Sequence, residues 1–269
     1  MKLEPGQVAV VTGAASGIGF ALAERFARLG LGVVLADVEP GPLATAVAQI
    51  EAEPGAAIAI PTDVSRAADV DALAAATIDH FGRVDIVCNN AGVNLHRSAM
   101  WQLHPLDWQW VLGVNLWGVI HGIRSFVPRF VAAGHGHIVN TASMAGLTVL
   151  PFIGPYAASK HAVVGISEAL RAELDEVAPK VGVTILCPGY VPTNLATSAR
   201  NRPAEVTPPA DEGARTAGDF DRSRFRPLAA ADVAAQVTAA IEADRLYVLS
   251  HPGSEDRVQE RFARVLERA

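Results

Sequence analysis

The sequence predicts an α/β protein built on a single parallel sheet covered on both faces, and three observations carry that prediction. Short apolar runs alternate with helical patterns from Val8 to about Ile185. Runs such as Val33-Val34-Leu35-Ala36 and Val183-Thr184-Ile185-Leu186 are continuously apolar rather than alternating, as strands buried on both faces should be. No Pro/Ser-rich linker and no solenoid-period repeat divides the 269 residues, a length an α/β sheet often uses as one domain. Half of the residues are hydrophobic, ample for a doubly covered sheet.

Along the chain, Gln7-Val8-Ala9-Val10-Val11 reads as the first strand and runs into Thr12-Gly13-Ala14-Ala15-Ser16-Gly17-Ile18-Gly19. Phe20, Ala23, Phe26, Ala27 and Leu29 then recur at helical spacing until Gly30 ends the helix. Strand, glycine turn and helix form the context a dinucleotide site needs. Glycines let the backbone approach a pyrophosphate, and the free N–H groups at the helix start face its charge. Without that flanking context the same glycines would mark only a tight turn. The second strand ends at Asp37, 18 residues after Gly19. A carboxylate there accepts hydrogen bonds from ribose hydroxyls and repels a 2′-phosphate, although a solvated strand end is the plainer reading. Val84-Asp85-Ile86-Val87-Cys88 is a further strand, followed by Asn89-Asn90-Ala91-Gly92. The fifth, His137 to Ala142, leads to Ser143, and the sixth closes on Pro188-Gly189. Ala230 to Ala243 is helical and Leu246-Tyr247-Val248-Leu249 is the last edge strand. Ser254 can cap a final helix whose Val258, Phe262, Val265 and Leu266 form one apolar stripe.

The chemistry concentrates in Tyr156-Ala157-Ala158-Ser159-Lys160, in a chain with only three tyrosines and three lysines. Four apart on a helix, Tyr156 and Lys160 share a face. A cation beside a phenol favours the phenolate, and bringing a phenol from about 10 to about 7 requires roughly 4 kcal/mol. Taken alone, a tyrosine anchoring a helix beside a solvated lysine explains the pair as well.

With glycines spaced G-x3-G-x-G and Tyr156-x3-Lys160 downstream, the chain resembles the short-chain dehydrogenase/reductase (SDR) family. Asn89-Asn90-Ala91-Gly92 is similar to that family's NNAG motif, and Asn115 matches the asparagine of its proton relay. Ser143 stands 13 positions before Tyr156, the family's usual interval, and Pro188-Gly189 with Thr193 completes a set spanning residues 7 to 195. The resemblance implies a Rossmann-type, doubly wound, parallel seven-stranded sheet flanked by helices, with strand order 3-2-1-4-5-6-7, in a single domain over 1–269. It implies a cofactor half over about 1–140 and a catalytic and substrate half over about 141–269.

The same resemblance implies an NAD(H)-dependent dehydrogenase or reductase acting on a secondary alcohol or ketone. Its catalytic residues would be Ser143, Tyr156, Lys160 and Asn115. Tyr156 exchanges the alcohol proton, Ser143 holds the reacting oxygen, Lys160 lowers the Tyr156 pKa and binds the nicotinamide ribose, and Asn115 holds a relay water. Cofactor contacts fall on Gly13, Ser16, Gly17, Ile18, Gly19, Asp37, Asp63, Val64, Asn90, Ala91, Gly92, Tyr156, Lys160, Pro188, Gly189, Val191 and Thr193. Asp63 serves equally well as a cap for the following helix, as does Ser65. NAD(H) is preferred over NADP(H), because Ala15, Ser16 and Val38 stand where an NADP enzyme of this family carries a base. Two other readings of the scaffold are a non-catalytic NAD(H)-sensing binding protein and a non-redox lyase. A sensor has no need of Ser143, Tyr156, Lys160 and Asn115, and a lyase normally disrupts the glycine turn.

By the same resemblance the substrate meets Ser143, Leu150, Phe152, Tyr156, Tyr190 and Leu195. The nearly wholly apolar stretch Leu147 to Ile153 favours a lipophilic or aromatic alcohol over a sugar. Residues 194–227, rich in Pro, Gly, Ala and charge, read as a mobile substrate lid. Its Arg200, Arg202, Arg215 and Arg224 are expected on a solvated face. Trp101, Trp108, Trp110 and Trp117 suggest core or subunit contact, and a homotetramer is the leading assembly, with a dimer second.

A net charge of −6 without a basic stripe argues against a nucleic-acid partner. The apolar runs are too short to span a bilayer, and the amino end carries no signal-peptide pattern, which together suggest a cytoplasmic protein. Cys88 and Cys187 are expected as free buried thiols. His135 and His137 could share one side of a strand, but with no cysteine or acidic neighbour in sequence they are not expected to hold a metal.

Overall fold

The computed structural model describes residues 1–50, 53–209 and 226–267. Seven strands, all paired in parallel, form one sheet in the order β3-β2-β1-β4-β5-β6-β7. They are β1 (Val8–Thr12), β2 (Gly32–Asp37), β3 (Ala57–Pro61), β4 (Ile86–Asn89), β5 (Gly136–Thr141), β6 (Val181–Cys187) and β7 (Tyr247–Leu249). The connecting helices are α1 (Gly17–Arg28), α2 (Pro40–Ile50), α3 (Ala67–Phe81), α4 (Pro105–Leu112), α5 (Gly118–Ala133), α6 (Gly154–Val177), α7 (Ala230–Glu242) and α8 (Ser254–Leu266). This is the Rossmann-like single-domain arrangement expected from the sequence.

The period-2 geometry of the strands divides their apolar side chains between two layers. Ala9, Val11, Val33, Leu35, Ile86, Cys88 and Val139 pack with α1, α2 and α7, where Leu22, Phe26, Leu43 and Val237 meet them. Val10, Val34, Val87, Ile138 and Val183 face the other way, against Leu73 of α3, Phe126 and Phe130 of α5, and Leu170 and Leu174 of α6. The lateral order in which successive strands join the sheet reverses between β1 and β4, the switch point at which such sheets bind ligands beyond their carboxyl ends. No helix among the described residues is long and apolar enough to cross a membrane.

Several local expectations change. Trp110 is buried, but Trp101 and Trp117 are 83% and 52% exposed, so the tryptophans form no single core stripe. Ser254 is the first residue of α8 and not its cap; Gly253, in a left-handed conformation, precedes it. Val258 packs against the body, whereas Phe262, Val265 and Leu266 are exposed. An acidic neighbour does lie near His135: its Nε2 is 3.2 Å from the fully buried Asp85 carboxylate. Asp85, 50 residues earlier in sequence, also accepts from Val8 N and Arg83. His137 instead reaches Thr184 Oγ at 2.8 Å, so the two imidazoles do not converge.

Burial pushes the pKa of His137 down to about 3. The unfolded chain binds a proton on this residue below about 6.5, and the folded protein refuses it until about pH 3. Stability from this group is therefore complete above pH 6.5 and lost as pH falls toward 3, by at most about 5 kcal/mol. Gln at this position can keep the donor to Thr184 without titrating. In chemical denaturation, His137→Gln should show a flatter loss of unfolding free energy between pH 6 and pH 4; a slope equal to that of the parent would contradict this account.

Candidate active site

A cavity of about 770 Å³ opens along the carboxyl ends of the strands at the switch point. Its walls include Gly13, Ser16, Gly17, Ile18, Asp37, Asp63, Val64, Asn90, Ala91, Gly92, Tyr156, Lys160, Pro188, Thr193 and Leu195. Close approach dictates the glycines. Gly13 has φ +66°, and a Cβ on it would lie 2.8 Å from the Ala91 Cα; one on Gly19 would lie 2.1 Å from the Gly13 carbonyl oxygen. Ser16 precedes α1 and gives no side-chain bond to its first turn, so the amino end of that helix faces the cavity without a side-chain cap.

Thr12, which motif reading passed over, joins the two strands that flank the switch point. Its hydroxyl accepts from the backbone N–H groups of Asn90 (2.9 Å) and Ala91 (3.0 Å), and its carbonyl accepts from the Asn90 side chain at 3.0 Å. The opening turn and the Asn90-Ala91-Gly92 turn are thereby held at one spacing. Further along the wall, Asp37 accepts from Ala15 N (3.0 Å) and Glu39 N (3.1 Å), one bond on each carboxylate oxygen. Asp63 turns on itself, accepting from Ser65 N and Ser65 Oγ, and α3 begins after Arg66 without a side-chain cap. Val64 is braced by His121, whose Nδ1 lies 2.9 Å from its carbonyl oxygen.

The helix of α4 and α5 is continuous through one π-helical turn, Gly113–Trp117, which displaces Asn115 inward. Such turns relax the helical register and recur at functional positions. Asn115 is fully buried; its Oδ1 accepts from Val93 N (2.8 Å), and its Nδ2 donates to Val93 O (3.0 Å) and Ser159 Oγ (3.1 Å). One side chain thus fastens the loop after Gly92 to α6. In α6, the Lys160 ammonium lies 5.7 Å from the Tyr156 ring centroid and donates to Thr141 O at 2.7 Å. Ser143, two residues beyond β5, accepts from Ala145 N at 3.1 Å, and its hydroxyl lies 3.5 Å from Pro188 O.

Electrostatics differ from the simple expectation in one respect. Burial pushes the Tyr156 phenol above its ordinary value, against an opposing hydrogen bond from Ser143. The Lys160 charge is directed at the Thr141 carbonyl and the ring face rather than at the phenol oxygen, so it does not offset that burial. Desolvation in turn brings Lys160 down to about 8. The cation is close to losing its proton in the physiological range.

Other expected residues lie around this centre at different depths. Ser143 is buried, and neither it nor Gly19, Gly189 and Val191 lines the cavity. Leu150, Phe152 and Tyr190 are likewise outside the lining. Phe152 is 38% exposed at φ +68° beside Arg97, whose guanidinium sits 5.2 Å from its ring centroid. The first part of the expected lid is ordered as short 3₁₀ turns, Asn194–Asn201 and Ala204–Val206. It is tied down by Ser198 to the Asn94 backbone. Of its two arginines, Arg200 is exposed as expected and forks onto Glu39, whereas Arg202 is not on a solvated face: it bonds buried Asp107 at 2.7 Å and stacks on Trp110. The rest of the segment, with Arg215 and Arg224, lies outside the described residues.

The profile of the family described as "short chain dehydrogenase" matches residues 7–204. A short-chain dehydrogenase/reductase of Burkholderia phymatum, solved with NAD, is 41% identical with a TM-score of 0.89, over 98% of this chain and 96% of that one. The 1-deoxy-11-beta-hydroxypentalenate dehydrogenase of Streptomyces arenae is 37% identical over 95% of this chain and 86% of its own length. The C alpha-dehydrogenase of a Sphingobium strain is 32% identical over 99% and 88%. The chain belongs to the short-chain dehydrogenase/reductase family of oxidoreductases, whose fold binds a nicotinamide cofactor.

Thr12→Val keeps the shape of residue 12 and removes the acceptor for two backbone N–H groups. Urea unfolding should show a loss of about 1–3 kcal/mol; full stability would mean that those amides find other partners.

Proposed function

We propose that this protein is an NAD(H)-dependent oxidoreductase that interconverts a lipophilic or aromatic secondary alcohol and its ketone. The observation that carries the reading is the placement of Tyr156 and Lys160, backed by Ser143 and Asn115, at one end of a cavity whose other end is Asp37. The cradle suits a dinucleotide: a turn too tight for any Cβ at Gly13 or Gly19 opens on the uncapped start of α1. Gly13, Ser16, Gly17, Ile18 and Gly19 would hold the pyrophosphate, and Asp37, Asp63 and Val64 the adenosine. Asn90, Ala91, Gly92, Pro188, Gly189, Val191 and Thr193 would border the nicotinamide half.

The bound nicotinamide supplies a hydride acceptor in oxidation and a hydride donor in reduction. Tyr156 takes the alcohol proton in oxidation and returns it in reduction. Ser143, beside Tyr156, would hold the reacting oxygen. Lys160 stands ready to bind the ribose and to favour the phenolate, from a position where its own proton is weakly held. Asn115 would anchor the route by which the proton leaves, and its bonds to Val93 and Ser159 keep that route aligned. Substrate would be bordered by Ser143, Leu150, Phe152, Tyr156, Tyr190 and Leu195, with 194–227 as lid. Met100 and Phe152 are exposed apolar side chains outside the cavity lining, consistent with a lipophilic substrate. The reading extends to a cytoplasmic homotetramer, for which exposed Phe262, Val265 and Leu266 on α8 offer a subunit contact.

The first test is a screen with NAD and NADP against aliphatic, benzylic and steroid secondary alcohols, following reduced-cofactor absorbance. NADH binding without turnover on any of them would favour a sensor. Tyr156→Phe should retain NADH binding and lose turnover by at least about 100-fold, the scale of general acid–base catalysis; near-normal kcat would remove Tyr156 from that role. Asp37→Asn retains an acceptor for the Ala15 amide and removes the charge. It should narrow the ratio of NAD to NADP efficiencies by about tenfold, the equivalent of about 1.4 kcal/mol, and an unchanged ratio would dismiss Asp37 as the discriminator.

A further inference from the structure

His251 lies just beyond β7, in a stretch no motif singles out, yet both of its ring nitrogens are committed to one turn. Nδ1 is 3.1 Å from Gly189 N, and Nε2 is 2.9 Å from Tyr190 O. A backbone amide only donates, so Nδ1 is the acceptor and the ring hydrogen sits on Nε2, donated to the Tyr190 carbonyl. Ser250 Oγ, 2.8 Å from Nδ1, fits the same tautomer as a second donor. The imidazole also lies flat on the peptide: a Cβ on Gly189 would stand 2.9 Å from the His251 Cγ and 3.0 Å from Nδ1. A side chain at residue 189 would collide with the ring.

That turn is attached on its other sides to the candidate site. Pro188 lines the cavity, and its carbonyl accepts from Met144 N at 3.0 Å, next to Ser143. The Tyr190 carbonyl accepts a second bond, from Leu228 N at 3.1 Å, where the chain returns from the 194–227 segment. One side chain therefore holds the turn from below and shares an acceptor with the returning end of that segment.

We propose that His251 is a positioning residue: it holds the Pro188-Gly189-Tyr190 turn against the cavity so that the nicotinamide end of the dinucleotide is seated toward Tyr156, and it secures the return of the 194–227 segment through the same carbonyl. The proposal rests on the cofactor reading above. Its chemistry separates the two ends of the ligand, because the Asp37 end makes no use of the turn.

Three variants divide the two bonds. His251→Leu retains bulk and loses both; His251→Asn places an amide oxygen near the Nδ1 position; His251→Gln places an amide N–H near the Nε2 position. NADH and ADP-ribose, which lacks the nicotinamide, are the probes, titrated by fluorescence and by competition. His251→Leu should weaken NADH about tenfold and leave ADP-ribose within about twofold, the scale of one or two hydrogen bonds. His251→Asn should recover most of the NADH affinity, and His251→Gln should recover less, because Gly189 rather than Tyr190 follows the cavity residue. Equal weakening of both ligands would show general loosening and overturn the proposal, as would unchanged NADH affinity in all three variants. Should His251→Leu not fold, Asn against Gln decides: equal NADH affinities would overturn the proposal. Parental protein that binds neither NADH nor NADPH would instead bring down the cofactor reading itself.

Discussion

A buried ammonium organises the catalytic side of this molecule. Lys160 is 3% exposed, and no carboxylate among the described residues pairs with it. An uncompensated charge in such a place is expensive, and the Thr141 carbonyl at the end of β5 is the group that meets it. For the ammonium to reach that carbonyl, α6 must lie hard against the loop after β5. A Cβ on Gly146 would stand 2.6 Å from the Lys160 carbonyl oxygen, so glycine is what allows the approach. The same packing brings Tyr156 beside Ser143 and lets Ser159 receive the Asn115 amide. Desolvation lowers the pKa of this ammonium to about 8.

Much of this was legible because it is local. Glycines within eight residues, a tyrosine and lysine one helical turn apart, and continuously apolar strands announce a sheet, a turn and a helix face without any long-range information. Contacts between distant segments were not legible. Thr12 looks like a strand end, yet its hydroxyl serves amides 78 and 79 residues away. His135 seems to lack an acidic neighbour because Asp85 comes from the start of another strand. Ser254 has the chemistry of a cap, but the left-handed Gly253 before it already turns the chain into α8. The aim of Lys160 was not legible for a related reason: spacing places two side chains on a face, but the direction of an ammonium depends on the nearest carbonyl.

The segment after Thr193 shows how composition can mislead. Pro, Gly and charge suggest a solvated strap, yet its first residues are fastened at three places. Ser198 both donates to and accepts from the Asn94 backbone. Arg202 enters an apolar recess, its guanidinium over Trp110 and bonded to an Asp107 that also closes the capping box of α4. That pairing is mostly buried, so removing either partner would strand the other's charge.

The third fastening bears on cofactor choice. Arg200 comes from this segment to the Asp37 end of the cavity and holds the Glu39 carboxyl below the usual carboxylate range. Asp37 stands two residues earlier, its oxygens bonded to the Ala15 and Glu39 amides. With Asp63 and Arg66 beside them, the wall there carries three carboxylates and two guanidiniums, a net negative charge. A 2′-phosphate entering it would meet Asp37 and could draw on Arg200 only by breaking a two-point bond to Glu39. The proposed preference for NAD(H) accordingly depends on Glu39 as well as on Asp37: one carboxylate repels the phosphate, and the other keeps occupied the cation that would otherwise receive it.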